Sequence, residues 1–293
     1  MRLGRIMGVD LHLNYFFLAL LGLFFVAGVL GKGLVAFAVV LLHEFAHAAC
    51  ARRLGVPVGE VELLPFGGVT RMGQELVLDP VKEIYVAAAG PVSNMVMVLA
   101  GLAMKNYGLW HHELGPFFLQ CNLLIAAFNL LPALPLDGGR VYRAVKAGQM
   151  GIREATCRAA GLGQAWGALV VLLGSLGLVL GFSGLDVLVT GLFLFYAATR
   201  ERGMAPYLFM QHLAGKKGEI LSAGVLRAES LVALEDVPLG KITKNFLPRK
   251  FHLILVLDRQ WQYKGMLTEA QVIDGLLTHG VDLPVGRLPS KPL

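Results

Sequence analysis

Long apolar stretches alternate with short polar segments as far as residue 202, and this pattern predicts a polytopic α-helical membrane protein. Each stretch approaches the roughly 20 apolar residues that a helix needs to cross the hydrocarbon of a bilayer. The pattern predicts about six spans, at residues 11–31, 34–54, 81–104, 116–135, 164–181 and 184–200. We therefore expect both ends of the chain to lie on the same side of the membrane.

Between the second and third spans, residues 61–72 form a segment too short to cross a membrane. Its centre, Pro65-Phe66-Gly67-Gly68, favours a turn, and the apolar residues on both sides suit short strands. We predict a short membrane-associated β-hairpin or a re-entrant loop here; an ordinary interfacial loop is the alternative. An exposed strand edge would let an extended peptide pair with the hairpin, and Phe66 is the candidate for contact with that peptide's side chains.

The composition changes from apolar to mixed near residue 203, and the remainder predicts a small α/β domain. The apolar run at 251–258 is typical of a strand, and 263–268 predicts a second strand that leads into a helix near 269–278. We therefore expect three parts: a membrane core at 1–202, a basic and partly helical linker at 203–222, and a C-terminal domain at 223–293.

The composition agrees with a membrane protein, since 56% of the residues are hydrophobic, 16% are charged and the mean hydropathy is +0.64. The net charge of +6 fits anchoring at the cytoplasmic face better than nucleic acid binding, because the basic residues are scattered between the spans. With the N-terminus inside, Lys32 and Lys105 alone among the basic residues near the spans fall on the outer face. This asymmetry predicts cytoplasmic termini, a cell-membrane location and no nucleic acid partner.

The sequence His43-Glu44-Phe45-Ala46-His47 interrupts the second apolar stretch with two imidazoles and a carboxylate. Ionisable groups at membrane depth are costly and usually functional. Residues four apart share one face of a helix, so His43 and His47 can bind one metal ion, with Glu44 beside it to take a proton from water. This spacing predicts the zinc site of a peptidase; a pair of core histidines bonded to nearby carbonyls is the alternative.

A catalytic zinc site takes three protein ligands and leaves one position open, so we expect a third ligand from another span. Asp137 is the candidate, because it ends the fourth apolar stretch at a similar depth. Pro132 and Pro135 prevent a regular helix before it, and Gly138-Gly139 would permit a tight turn that directs Asp137 inward. The alternative is a helix that ends in a surface Asp-Gly turn.

Three motifs, in this order along the chain, resemble those of the site-2 protease family of intramembrane zinc metalloproteases. They are HExxH at 43–47, Gly90-Pro91-x-x-Asn94, and Asn129-x-x-Pro132-x-x-x-Leu136-Asp137-Gly138. The resemblance implies one zinc ion per chain with Asp137 as its third ligand. It also implies that Asn129 and Pro135 hold the substrate.

The motifs and the resemblance predict the same chemistry, in which zinc polarises the scissile carbonyl and Glu44 carries the proton. A helical substrate has to be extended first, because its carbonyls are hydrogen-bonded. A metal or ion transporter with His43, His47 and Asp137 along its pathway is a different class, but we find no internal repeat of the kind that transporters carry. In an inactive scaffold, Glu44 would have no reason to lie between two histidines.

The C-terminal segment resembles a CBS domain, a small module that often binds adenine nucleotides. The resemblance rests on Pro238-Leu239, on a strand that ends at Asp258, and on Gly265-x-x-Thr268. It implies ATP as a candidate ligand and a homo-oligomer, because such modules work in pairs. The usual aspartate three residues after the threonine is Gln271 here, which puts nucleotide binding in doubt. The alternative is a plain α/β tail that recruits a substrate or a regulator.

The order of spans, hairpin and terminal CBS-like module resembles the stage IV sporulation protein FB branch of the family. That branch implies a protein of the outer forespore membrane that faces the mother cell. It implies the sigma-K precursor as membrane-associated substrate and companion membrane proteins of the sporulation complex as regulators. A site-2 protease that cuts anti-sigma factors or signal-peptide remnants is the alternative.

Overall fold

A computed structural model describes residues 2–6, 9–13, 15–64, 67–73, 75–108, 111–182, 184–225, 227–247 and 250–289. The chain forms two compact units, one of residues 1–144 with 159–201 and one of residues 145–158 with 202–293. The three parts expected from the sequence, 1–202, 203–222 and 223–293, stay predictions.

Helices account for most of the described residues, and two small sheets complete the fold. The helices are α1 (Tyr15–Val26), α2 (Leu30–Arg53), α3 (Glu75–Leu78), α4 (Pro80–Asn106), α5 (Leu114–Asn129), α6 (Asp137–Met150), α7 (Ile152–Val179), α8 (Leu185–Ala223), α9 (Leu239–Thr243) and α10 (Glu269–His279). The strands are β1 (Arg2–Ile6), β2 (Val9–Leu13), β3 (Val58–Leu64), β4 (Gly67–Met72), β5 (Arg227–Leu234), β6 (Lys250–Leu257) and β7 (Tyr263–Thr268).

Three of these helices, α2, α4 and α7, are long and apolar enough to cross a membrane. They overlap the second, third and fifth predicted spans, although α7 begins 12 residues before the fifth. Helix α5 is apolar but shorter, at 16 residues, and ends before Pro132 and Pro135, as the prolines predict. The chain is therefore a helical membrane protein, and the count of six spans stays a prediction.

The first predicted span, 11–31, is wrong as a continuous helix. Residues 9–13 form strand β2, and α1 has 12 residues, a length of about 18 Å against the ~30 Å of bilayer hydrocarbon. The signal was present in Val9-Asp10-Leu11-His12-Leu13, where apolar and polar residues alternate with the period of a strand. The sixth span also differs, because α8 runs on without a break through the predicted linker to Ala223.

The N-terminal sheet has the strand order β1-β2-β3-β4, with β2 parallel to β3 and the other pairs antiparallel. The predicted hairpin is present as β3 and β4, paired from Val58 opposite Met72 to Leu64 opposite Gly67, with a shift of register between Val58 and Glu60. Strand β4 lies at one edge of this sheet. Pro65 and Phe66, which the sequence places in the predicted turn, lie outside the described part of the chain.

Glycines set the close packing of α7 against α8 within the first unit. A side chain on Gly167 would lie 2.7 Å from the backbone nitrogen of Phe195, and one on Gly191 would lie 2.7 Å from that of Val171. Small residues at such crossings let two backbones approach, which is how helices associate without a hydrophobic driving force in lipid.

The second unit contains the order β-α-β-β-α, with β5 parallel to β6 and β6 antiparallel to β7. Its apolar core is formed by fully buried residues such as Ile254, Leu267 and Val272. Helix α10 begins with a capping box in which Thr268 and Gln271 bond each other's backbone groups. Gln271, the residue that departs from the CBS pattern, therefore helps to cap the N-terminus of this helix.

Candidate metal centre

Helix α2 carries both histidines of the HExxH motif into the interior of the first unit. The side chains of His43 and His47 are one turn apart, and the residues are only 4% and 2% exposed. Their rings meet edge to face with centroids 4.7 Å apart, and their Nε2 atoms are 3.1 Å apart. Residues 34–53 contain no glycine or proline, so nothing breaks the regular spacing that aligns the two rings.

Asp137, the first residue of α6, meets both rings. Its Oδ2 atom is 3.2 Å from Nε2 of His43 and 3.2 Å from Nε2 of His47, and the residue is 7% exposed. The structure thus brings together the three residues that the sequence proposed as ligands.

The local reason for the position of Asp137 differs from the prediction. Gly138 and Gly139 do not form a turn, because they lie in the first turn of α6. A Cβ on Gly138 would overlap the carbonyl groups of Leu130 and Leu131, and one on Gly139 would overlap the backbone of Ala133 and Leu134. The glycines therefore let the connection from α5, which contains the cis Leu134–Pro135 bond, pack directly against the start of α6.

Helix α4 supplies the surroundings of the two histidines. The Nδ1 atom of His47 bonds the carbonyl oxygen of Val86 at 2.7 Å, and Nδ1 of His43 bonds Oδ1 of Asn94 at 2.5 Å. Gly90 lies between these positions, where any side chain would overlap both imidazole rings. One face of α4 is thus shaped around the rings of α2.

A chain of hydrogen bonds fixes the orientation of Asn94. Its Nδ2 donates to Oδ1 of Asn122 on α5 at 2.9 Å, and Nδ2 of Asn122 donates to the backbone oxygen of Phe118 at 2.8 Å. A backbone oxygen can only accept, so Oδ1 of Asn122 faces the amide of Asn94, and Oδ1 of Asn94 faces His43. Sequence reasoning gave Asn94 only as a motif position and missed Asn122, although an asparagine inside an apolar helix was the signal.

The hydrogen-bond pattern decides what the three residues can hold. Since Val86 and Asn94 present acceptor oxygens, both Nδ1 atoms carry protons, so the Nε2 atom of each ring presents a lone pair when that ring is neutral. These lone pairs and the Asp137 carboxylate converge within 3.1–3.2 Å of one another, an arrangement that repels unless a cation lies among them. Ligands of a tetrahedral zinc ion, at 2.0–2.1 Å, lie about 3.3 Å apart, so this donor set fits zinc.

Two carboxylates are near enough to be the third ligand. The ligand atoms of His43, Glu44 and His47 all lie within 4.8 Å of one another, whereas Asp137 Oδ2 is 3.2 Å from both ring nitrogens. Asp137 therefore completes the donor set more closely. The half-buried Glu44 is left beside the cluster, within reach of a group bound there.

The three predicted substrate-binding residues are Asn129, Pro135 and Phe66. Asn129, the last residue of α5, is half-buried, and its Nδ2 donates to the carbonyl of Ile125 in the same helix at 3.0 Å. Pro135 is half-buried two residues before Asp137. Phe66 lies outside the described residues. Substrate contact by these three residues stays a prediction.

Comparisons with known proteins agree with this site. The profile of peptidase family M50 matches residues 33–110. Rip3 of Mycobacterium tuberculosis, named as a zinc metalloprotease, is 30% identical over 301 residues, which cover 93% of this chain and 75% of that protein. A zinc metalloprotease of Methanocaldococcus jannaschii is 27% identical over 210 residues, 68% of this chain and 60% of that protein. Stage IV sporulation protein FB of Bacillus subtilis is 34% identical over 140 residues, 47% of this chain and 48% of that protein.

A solved structure gives the same answer for the fold. The site-2 protease from Methanocaldococcus jannaschii superposes with a TM-score of 0.56 and 27% identity, covering 69% of this chain and 94% of that one. The donor set suits zinc, and one relative is matched over three quarters of its length. The chain therefore belongs to peptidase family M50, the site-2 protease family of intramembrane zinc metalloproteases.

Proposed function

We propose that the protein cleaves a peptide bond of a membrane-associated protein, with His43, His47 and Asp137 holding one zinc ion. The observation that carries the proposal is the 3.2 Å approach of Asp137 Oδ2 to both ring nitrogens on an apolar helix. When bound there, zinc supplies Lewis acidity that polarises a carbonyl and acidifies water toward neutral pH.

Glu44 is the general base in this proposal. Its carboxylate lies beside the donor set, where it takes a proton from the attacking water and later gives it to the leaving amine. Asn94 and Val86 hold the Nδ1 protons of the two rings and so keep both Nε2 lone pairs directed at the cation. Asn129 and Pro135 then contact the substrate near the start of α6.

Strand β4 is the proposed site of substrate extension. It lies at the edge of the N-terminal sheet and forms close contacts with α2, the helix that carries the histidines. A substrate segment paired with this edge is held extended, which frees its carbonyls from helical hydrogen bonds. Phe66, which directly precedes β4 in the sequence, is the proposed contact for its side chains.

Replacing Glu44 tests the proposed chemistry. We expect Glu44→Gln to retain zinc and lose cleavage by at least about 100-fold, because the amide cannot accept the proton. Zinc content and the shortened substrate on a blot are measured for the purified full chain. Glu154→Gln, which changes an exposed carboxylate of α7, is the matched control. A Glu44→Gln protein that still cleaves at the wild-type rate contradicts the role.

The sigma-K precursor is the proposed substrate, supported by the similarity to stage IV sporulation protein FB over 47% of this chain. That similarity also supports regulation by companion membrane proteins and a place in the outer forespore membrane. Co-expression with the sigma-K precursor, an anti-sigma factor or a signal-peptide remnant separates this proposal from the alternative substrates. Cleavage of either of the last two in place of the precursor contradicts it.

The second unit is proposed to pair with the second unit of another chain and to face the cytoplasm. Support comes from its β-α-β-β-α order and from the excess of basic residues on the same predicted side as the termini. ATP is the candidate ligand of this unit. Calorimetry of the full chain in detergent tests ATP, with magnesium alone as the blank, and no heat up to millimolar ATP contradicts binding.

A further inference from the structure

A second buried charged cluster lies outside the metal centre, in the first unit. Glu83 on α4 is 1% exposed and Arg143 on α6 is 4% exposed. The Nε atom of Arg143 donates to Oε1 of Glu83 at 3.0 Å, and its Nη2 atom bonds the same oxygen more closely. The Nη1 atom of Arg143 lies 3.9 Å from Oε2 of the partly exposed Glu201 on α8.

Burial makes this pair expensive to maintain. Removing two charges from water costs several kcal/mol per ion, and a buried pair often stabilises a fold no better than apolar residues of the same size. The start of a helix favours a carboxylate even at the surface, so the helix dipole of α4 does not explain why Glu83 is buried. A function that depends on geometry would explain it.

The pair joins the two helices that surround the histidines. Glu83 precedes Val86, Gly90 and Asn94 by three, seven and eleven residues, so all four lie along one face of α4. Arg143 follows Asp137 on α6 by six residues. The same face of α4 therefore contacts α2 through the histidines and α6 through Arg143.

Three helices form a closed set of contacts around the donor atoms. Helices α2 and α4 are joined by the bonds of His43 to Asn94 and of His47 to Val86. Helices α6 and α2 meet at Asp137 and the two rings. The Glu83–Arg143 pair joins the third side, from α4 to α6.

We propose that the Glu83–Arg143 ion pair positions the third zinc ligand, by setting the register of α6 against α4 so that Asp137 reaches both imidazoles. The inference rests on the proposed zinc site. A guanidinium has a fixed planar arrangement of donors, so it fixes an angle and a register that an apolar contact leaves free. Glu83 and Arg143 are positioning residues, because neither touches the donor atoms in the described contacts.

The test measures metal geometry as well as activity. In Arg143→Met we expect zinc affinity to fall by about 10–100-fold, the range for residues that orient ligands. The visible spectrum of the Co²⁺-loaded full chain is expected to lose tetrahedral intensity, and kcat to fall with little change in KM. Arg143→Lys restores part of each. Arg158→Met, which breaks an exposed pair with Glu154 at 2.9 Å, is expected to leave the zinc affinity, the Co²⁺ spectrum and kcat unchanged.

A double variant separates positioning from general stability. Glu83→Met with Arg143→Met removes the uncompensated charge, so its Tm is expected to return toward wild type while the Co²⁺ spectrum and zinc affinity stay impaired. Recovery of the spectrum and affinity together with Tm would overturn the proposal and leave the pair a structural contact. Wild-type protein that binds Co²⁺ tetrahedrally but cleaves no substrate would contradict the proposed function alone, since the metal measurements still test the positioning.

Discussion

Imidazole and carboxylate groups are buried together in both units of this protein, but their ring nitrogens have different partners in the two units. In the first unit, two Nε2 lone pairs and a carboxylate converge at 3.1–3.2 Å. In the second unit, His252 is completely buried beside Glu269, which is 2% exposed. There the backbone N–H of Leu247 donates to Nε2 of His252 at 3.3 Å, and the backbone N–H of His252 donates to Oε2 of Glu269 at 3.1 Å.

The difference suggests how the proposed ligand histidines differ from a structural one. The Nε2 lone pair of His252 is already used by a backbone donor, and its ring stacks on Phe246 with centroids 4.9 Å apart. In the metal centre the backbone and amide partners occupy Nδ1 instead, which leaves Nε2 for a cation. Burial and residue type alone therefore do not identify a metal site, whereas the partner of each ring nitrogen does.

The largest expected effect comes from replacing the buried carboxylate of each unit by its amide, in two matched variants. Asp137→Asn removes the negative charge of the proposed third ligand, and we expect zinc affinity to fall by about 100-fold or more. Glu269→Gln is expected to retain one zinc ion per chain. Metal content after dialysis against a buffered chelator measures both. Equal loss of zinc in the two variants would mean that the second unit also contributes to metal binding and would break the comparison.

Adding a methyl group at Gly90 tests the shape of the metal centre without changing its charge. The new Cβ overlaps both imidazole rings, so Gly90→Ala is expected to lower zinc affinity by roughly 10-fold or more and to reduce Tm. The control is Gly148→Ala, where no atom lies within 4 Å of the new Cβ. We expect that control to bind zinc normally and to be slightly more stable, by about 0.5–1 kcal/mol. Normal zinc affinity in Gly90→Ala would contradict the described fit of α4 to the rings.

The converse test removes His252, the structural histidine of the second unit. His252→Ala removes the ring acceptor of the Leu247 N–H and opens a cavity beside Phe246, so the second unit is expected to lose about 1–3 kcal/mol of stability. Zinc content and affinity are expected to stay at the wild-type level. Thermal unfolding followed by tryptophan fluorescence, with zinc analysis of the same sample, measures both. Loss of zinc by the folded variant would contradict a purely structural role.

How much of this was visible in the sequence depends on whether a feature is local. The HExxH spacing lies within one helix turn, so it placed His43 and His47 correctly, and two prolines marked the end of α5. The alternation at Val9–Leu13 was equally local but was hidden by the apolar run that follows it.

Features that join distant segments were harder to predict. Asn122 and the Glu83–Arg143 pair act between helices, and no spacing rule connects residues 28 or 60 positions apart. The proposed position of Asp137 agrees with the structure, but Gly138 and Gly139 act by close packing with the preceding loop and not as a turn. Sequence pattern indicates which groups are present, whereas the tertiary fold decides their partners.

The smallest expected effect concerns Asp236, an exposed carboxylate of the second unit. The hydrogen bond from Arg259 to Asp236, 2.8 Å long, lowers the pKa of that carboxyl from its ordinary value. A lowered pKa stabilises the folded state above the ordinary aspartate pKa, and this contribution is lost as the pH falls through the folded-state value. Because both side chains are well exposed, solvent screens the pair, and Arg259→Ala is expected to change Tm at pH 7 by less than about 1 °C. The difference between variant and wild type should shrink further as the pH falls below the lowered pKa of Asp236, and in high salt. A large loss of Tm that persists in both conditions would mean that Arg259 stabilises the unit by packing.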